Sequence, residues 1–146
     1  MAVDAKGRPR SIVLTAGQVA DTTHLEAVLD DIAVPRPDGR GARRNPDQVL
    51  ADKGYSSKAN RELLRARGII STIPERADQL RNRKNRGNAG GRPYAFDRDA
   101  YKGRNVVERC FNRLKQWRAC ATRYDKLARN YRAGLVLASI FIWLRT

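Results

Sequence analysis

The chain is organised around Tyr101-Lys-Gly-Arg104-Asn-Val-Val-Glu108-Arg-Cys-Phe-Asn-Arg-Leu-Lys115-Gln-Trp117. Its periodicity predicts a helix. With successive residues about 100° apart, Tyr101, Arg104, Glu108 and Lys115 fall in one stripe roughly 60° wide. Val106, Val107, Cys110, Phe111, Leu114 and Trp117 form an apolar stripe beside it. Asn105, Asn112, Arg109 and Arg113 cover the rest. A single carboxylate thus stands among an aromatic and two cations, at the edge of a buried face. A solvated helix face with an ion pair would have the same composition. Glu108 and Lys115 are two turns apart, however, and do not make the usual i,i+4 pair.

Working outward, the chain of 146 residues is one domain's worth and carries a formal charge of +15, from 30 Lys and Arg against 15 Asp and Glu. Residues 61–118 hold 16 of the basic and 6 of the acidic side chains, so +10 of the excess is local. A polyanion is the expected partner, and nucleic acid is the commonest one. Arginine predominates, which suits bidentate phosphate contacts. A membrane surface would need an amphipathic basic helix with an exposed apolar face. The apolar run Ala133–Leu144 is too short to span a bilayer and reads as a core helix. Asp4 interrupts any apolar run at the start, so no signal peptide is expected there. Cys110 and Cys120 show no metal or redox spacing and read as small buried hydrophobes in a reducing compartment.

From the N-terminus, Ala2–Ala5 and Ser11–Thr15 predict a hairpin around the turn Lys6-Gly7-Arg8-Pro9. Asp21 or Thr22 caps a helix to about Ile32, with Leu25, Val28, Leu29 and Ile32 on one face. His24, the only histidine, reads as a surface residue. Pro35 to Pro46 reads as a loop. Val49–Ala51 is a short strand, and Ser56 or Ser57 caps a helix to about Arg67 that ends at Gly68. Ile69–Ile73 is a β-branched run stopped by Pro74. The order β-β-α-β-α-β argues for an α/β fold with a mixed sheet. Residues 77–99 are so polar that they predict a mobile basic loop settling on phosphates, or a solubilising insert. Arg118 to Tyr124 links to a last helix from about Asp125 to Leu144, whose apolar second half needs the sheet or a partner to cover it.

Asp52 stands at the carboxyl end of the strand before a helix, where α/β sheets place ligands. It would equally serve as an acceptor in a tight turn. Asp52 and Glu108, far apart in sequence, have the chemistry to converge on a hard divalent cation such as Mg²⁺. A pair of such ions activates the attacking oxygen and stabilises the leaving one in phosphodiester displacement.

Tyr101, Arg104, Glu108 and Lys115 match the pattern Y-x2-R-x3-E-x6-K, which resembles the signature of DDE transposases of bacterial insertion sequences. Val49-Leu-Ala-Asp52-Lys-Gly-Tyr55 looks like the second-Asp motif of that family. Residues 106–118 and 121–128 also look like family sequence, so the resemblance covers essentially the whole chain and places it in the C-terminal part of a catalytic domain.

The resemblance implies a ribonuclease H-like fold, a mixed sheet flanked by helices, over residues 1–146. It implies Mg²⁺- or Mn²⁺-dependent cleavage at transposon ends and strand transfer to target DNA. Asp52 and Glu108 would be the second and third acidic metal ligands. Tyr101, Arg104 and Lys115 would contact transposon-end DNA. Apart from the resemblance, Arg109 and the cations of the basic segment, Arg81, Arg83, Lys84 and Arg86, are candidates for phosphate contacts on their charge. It implies a homo-oligomer, and a location with DNA in the bacterial cytoplasm. The family's first catalytic Asp lies on a strand preceding the hairpin. Asp4 resembles a residue of the following strand, and the role does not carry over to it. The expectation is therefore an N-terminally truncated domain lacking its first strand, either the downstream half of a split transposase that needs an upstream half or a truncated copy, and unable to cleave DNA alone. A non-catalytic DNA-binding regulator of transposition is the rival reading.

Overall fold

The computed structural model describes residues 1–145. The chain divides into two compact units, Met1–Arg44 with the segment from Asn105 onward, and Asn45–Arg104.

In the first unit, β1 (Ala2–Val3) and β2 (Pro9–Ser11) form the expected antiparallel hairpin, with Ala2 opposite Ser11. The Gly7 N–H donates to the Asp4 carbonyl at 2.9 Å, and Gly7 takes φ +82°, a value side chains with a Cβ rarely adopt. β1 is shorter than the expected Ala2–Ala5, and β2 is displaced: it shares only Ser11 with the expected Ser11–Thr15 and takes in Pro9, which was expected in the turn. At Ile12 the N–H donates to the Asp31 carboxylate and the carbonyl accepts from Arg132, so side chains take the positions a further strand would use.

A 3₁₀ turn (Asp21–His24) precedes α1 (Leu25–Asp30). Neither Asp21 nor Thr22 caps it; the cap position is Ala20. Leu25, Leu29 and Ile32 are buried and Val28 is half-buried, as the periodicity predicts. His24 is half-buried rather than on the surface. The expected loop after Pro35 contains a second small hairpin, β3 (Val34–Pro35) with β4 (Ala42–Arg43). Two-residue strands are too short for any period to show.

The other helices of this unit are α5 (Val106–Lys115), α6 (Arg118–Thr122) and α7 (Ala128–Leu144). Helix α6 stands where a link was expected, and it ends at Arg123, a non-glycine residue at φ +50° whose guanidinium lies 5.1 Å from the Tyr131 ring. Ile12, Cys110, Leu114, Cys120, Leu135, Ala138 and Ile142 make the core. Tyr131 donates to the Cys120 carbonyl at 2.8 Å, and the Trp143 indole donates to the Pro9 carbonyl at 2.9 Å. Both cysteines are free and buried. Of the predicted apolar stripe, Cys110 and Leu114 are buried, whereas Phe111 and Trp117 are exposed. On α7 one side is buried, but Leu137, Ile140, Phe141 and Leu144 face out. Among the described residues no helix is long and apolar enough to cross a membrane.

The second unit is a β–α–β element. β5 (Gln48–Leu50) and β6 (Ile70–Thr72) pair in parallel, joined through α2 (Lys58–Ala66). Parallel pairing requires such a crossover. Ser57 caps α2, its Oγ accepting from the Asn60 N–H at 3.2 Å. Helix α2 closes at Gly68, φ +69°, where Gly68 N–H reaches the Arg65 carbonyl and Ile69 N–H reaches that of Leu64. That is a Schellman end, and its two apolar partners, Leu64 and Ile69, are both buried.

Two expectations fail here. Residues 77–99 are not a loop throughout: α3 (Ala77–Asn85) carries Arg81, Arg83 and Lys84, and Arg86 follows at its C-cap. The helix lacks an apolar face but is held by polar contacts. Gln79 accepts from the Arg76 N–H and donates to the Ser56 carbonyl, while Arg83 pairs with Glu75. The helix read over 101–117 is also broken. It becomes α4 (Arg98–Lys102), a 3₁₀ turn (Gly103–Asn105) and then α5. Gly103, a poor helix former, sits at the break. Among the described residues the strands form three separate two-stranded sheets, so the fold is mixed α/β with small sheets rather than one mixed sheet. Strands of two or three residues leave little length on which a third strand could register.

Candidate functional site

The predicted site residues are distributed over both units. Asp52 follows β5 and is the N-cap of a 3₁₀ turn (Lys53–Tyr55). Its Oδ1 accepts from the Gly54 N–H at 2.7 Å, and the side chain is exposed. It therefore plays the turn role that its sequence position allowed. It also stands at the carboxyl end of a parallel strand, where α/β units present ligand-binding groups.

Tyr101 lies on α4, which Asp97 caps by accepting from the Asp99 and Ala100 N–H groups. Its ring packs at 5.1 Å from Phe96, and the Arg104 guanidinium lies 5.8 Å from its centroid. In the second unit, then, Tyr101 and Arg104 do come together as the pattern implied.

Glu108, Arg109 and Lys115 are on α5 in the first unit, all three exposed. Glu108 occupies the first turn and Lys115 the last, so each charge also complements the helix dipole. Seven residues of helix separate Glu108 from Lys115 by roughly 10 Å along the axis. On α3, Arg81 and Lys84 are exposed, as is Arg86 beyond it. Arg83 is engaged in a two-pronged ion pair with Glu75, which raises its pKa.

Among the described residues, no group of three or more His, Cys, Asp or Glu side chains is assembled as metal ligands. Asp52 and Glu108 have the right donor type, hard carboxylate oxygens, but they belong to different units. Asp4 is committed elsewhere. Its Oδ1 accepts from the Lys6 and Arg8 N–H groups, and its Oδ2 accepts from the Arg8 and Arg10 guanidinium groups at 2.7–3.1 Å. Burial pushes its carboxyl up, but the bonds from Arg8 and Arg10 outweigh this and hold it below the ordinary carboxylate value. Burial also raises the Cys110 and Cys120 thiols, which keeps both protonated and unreactive. A groove between β2 and α7, lined by Pro9, Ile12, Ile140 and Trp143 among others, contains none of the predicted site residues.

Sequence reasoning missed Arg61 and Tyr94. Arg61 is buried on α2, with Tyr94 stacked over it at 4.0 Å. The available signal was the placement of Arg61 one turn before Leu64, on the buried face of its helix.

The family model for the transposase DDE domain matches residues 1–143. The chain is 34% identical over 147 aligned residues to a Burkholderia cepacia protein whose name assigns it as the transposase for insertion sequence element IS402. That alignment covers 98% of this chain and 60% of the relative. A Brucella ovis protein, assigned by name as the transposase for insertion sequence element IS6501, is 26% identical over 143 residues, covering 98% of this chain and 94% of its own length. No solved structure matches the chain. The chain belongs to the transposase DDE domain family.

Proposed function

We propose that this chain takes part in DNA transposition, as part of a ribonuclease H-like catalytic domain that cleaves transposon-end DNA and transfers the strand to a target. The family match across residues 1–143 carries this reading. It is supported by an exposed Asp52 at the carboxyl end of a parallel strand and an exposed Glu108 on α5. In this reading Asp52 and Glu108 hold a divalent ion, Mg²⁺ or Mn²⁺. When bound, the ion supplies activation of the attacking oxygen and charge stabilisation of the leaving one.

The chain's own residues do the rest. Arg104, braced against Tyr101, and Lys115 and Arg109 on α5 hold the transposon end by its phosphates. Arg81, Lys84 and Arg86 extend the contact along the backbone, with Arg83 contributing once Glu75 releases it. The third acidic ligand comes from outside this set, because the Asp4 carboxylate is saturated by Arg8 and Arg10. An upstream transposase half is the proposed source, and a homo-oligomer on paired ends, associated with the nucleoid, is the proposed assembly.

The rival is a DNA-binding regulator without chemistry, which the exposed cations of α3 and α5 would serve equally well. Metal dependence separates the two. The purified chain is titrated onto a transposon-end duplex with and without Mg²⁺, alongside Asp52→Asn and Glu108→Gln. The proposal expects Mg²⁺ to tighten binding in the native chain and not in either variant. Binding indifferent to Mg²⁺ and to both substitutions leaves the regulator.

A further inference from the structure

Arg61 is only 4% exposed, yet it is the least satisfied charge in the second unit's core. Its Nη2 donates to the Ile73 carbonyl at 2.8 Å. Its Nε and Nη1 are buried with no acceptor. A buried guanidinium with vacant donors is costly, and cores seldom retain one without a ligand or a partner. Glu75, the nearby carboxylate, is occupied by Arg83. The face of Tyr94 lies against Arg61, its centroid 4.0 Å from the Arg61 Cζ and 5.3 Å from the Arg83 Cζ.

Tyr94 lies in a segment, 91–97, that has neither helix nor strand, and its side chain is partly exposed. No helix or strand holds Tyr94 in place, whereas Arg61 is fixed to α2 and to the end of β6. Arg83, beside the same ring, leads to the exposed Arg81 and Lys84 of α3.

We propose that Arg61 is a gated phosphate-binding residue: Tyr94 covers it in the free chain, and a nucleic-acid backbone phosphate takes the ring's place against its vacant Nε and Nη1. An oxyanion offers several acceptor oxygens to donors that a ring face only partly satisfies. The identity of the phosphate as that of DNA rests on the function proposed above; the anion site itself does not.

Two measurements test it. In the first, binding of a fluorescent duplex is followed against salt for the native chain, Arg61→Gln and Tyr94→Leu, with folding checked by cooperative melting. Arg61→Gln should weaken binding and reduce the slope of log K against log salt by about 1, the signature of one lost phosphate contact. Tyr94→Leu should tighten binding several-fold, and Tyr94→Leu with Arg61→Gln together should fall back to the Arg61→Gln level. A folded Arg61→Gln chain with the native slope overturns the proposal. If Arg61→Gln does not fold, Tyr94→Leu decides: unchanged affinity overturns it. In the second, melting is followed with inorganic pyrophosphate. The proposal expects a larger rise in Tm for Tyr94→Leu than for the native chain. Equal rises overturn the anion site whatever the duplex does. A larger rise without duplex binding keeps the site and removes DNA as its ligand.

Discussion

Asp4 shows how much a single carboxylate organises. Its two oxygens close the hairpin turn and gather Arg8 and Arg10, whose guanidinium groups then stack over the Trp143 ring at 4.6 and 4.1 Å. The C-terminal helix is thus tied to the hairpin by one acid, two cations and one indole. Asp4→Asn is expected to destabilise the first unit by about 1–3 kcal/mol, the range for losing charge-assisted bonds at a half-buried site. The pH dependence has a definite sign. The folded carboxyl titrates below its unfolded value of about 4, so its contribution is fully present above that pH and is lost as pH falls through the folded pKa. Melting between pH 5 and pH 2 should show a drop in the native chain that is smaller in Asp4→Asn. Sequence alone did not reveal this role: the spacing of Asp4, Arg8 and Arg10 looks like ordinary charged turn chemistry until the hairpin brings Trp143 beside it.

At the scale of elements, α2 was legible almost to the residue. Its cap and its stop each have a local cause, namely the Ser57 hydroxyl and Gly68 in the left-handed region, whereas its buried face, Arg61 and Leu64, was not read from the sequence. Leu64 is 0% exposed, so Leu64→Ala should cost about 2–5 kcal/mol in chemical denaturation, whereas Ser57→Ala should cost about 1 kcal/mol. Helix α3 was illegible because its cohesion is polar. Leu80 is its only large apolar residue, and that side chain is exposed. Its anchors, Gln79 to Ser56 and Arg83 to Glu75, join residues that no periodicity links. The break before α5 had a visible cue in Gly103, but the spacing of Tyr101, Arg104, Glu108 and Lys115 fits one continuous helix across it. Gly103 has φ −64° and ψ −18°, and a Cβ there would meet only Leu50 Cδ1 at an ordinary 3.6 Å. Gly103→Ala should therefore be tolerated and raise stability by about 0.5–1 kcal/mol, read as a small upward shift in Tm.

Across the whole molecule, the features that point beyond the chain are charge and unfinished apolar surface. The +15 charge and the exposed cations of α3 and α5 suit a polyanion. Leu137, Ile140, Phe141 and Leu144 form an exposed stripe on α7, and each of the described sheets has only two strands. Such surfaces promote association. Sedimentation is expected to show concentration-dependent self-association that Leu137→Lys with Leu144→Lys reduces; a single monomeric species at all concentrations would contradict this. The α/β class and the family were readable from short motifs. The division into two units was not, because it depends on which distant segments pack together.

The proposed function has Asp52 and Glu108 serve one metal-dependent site. The most direct measurement is iron-directed backbone cleavage: Fe²⁺ replaces Mg²⁺ on the DNA-bound chain, peroxide and ascorbate are added, and the cut positions are mapped by mass spectrometry. Cuts are expected to cluster beside both Asp52 and Glu108, and to be lost together in Asp52→Asn and in Glu108→Gln. Cuts beside one residue alone, or cuts at both that persist in either variant, would contradict it.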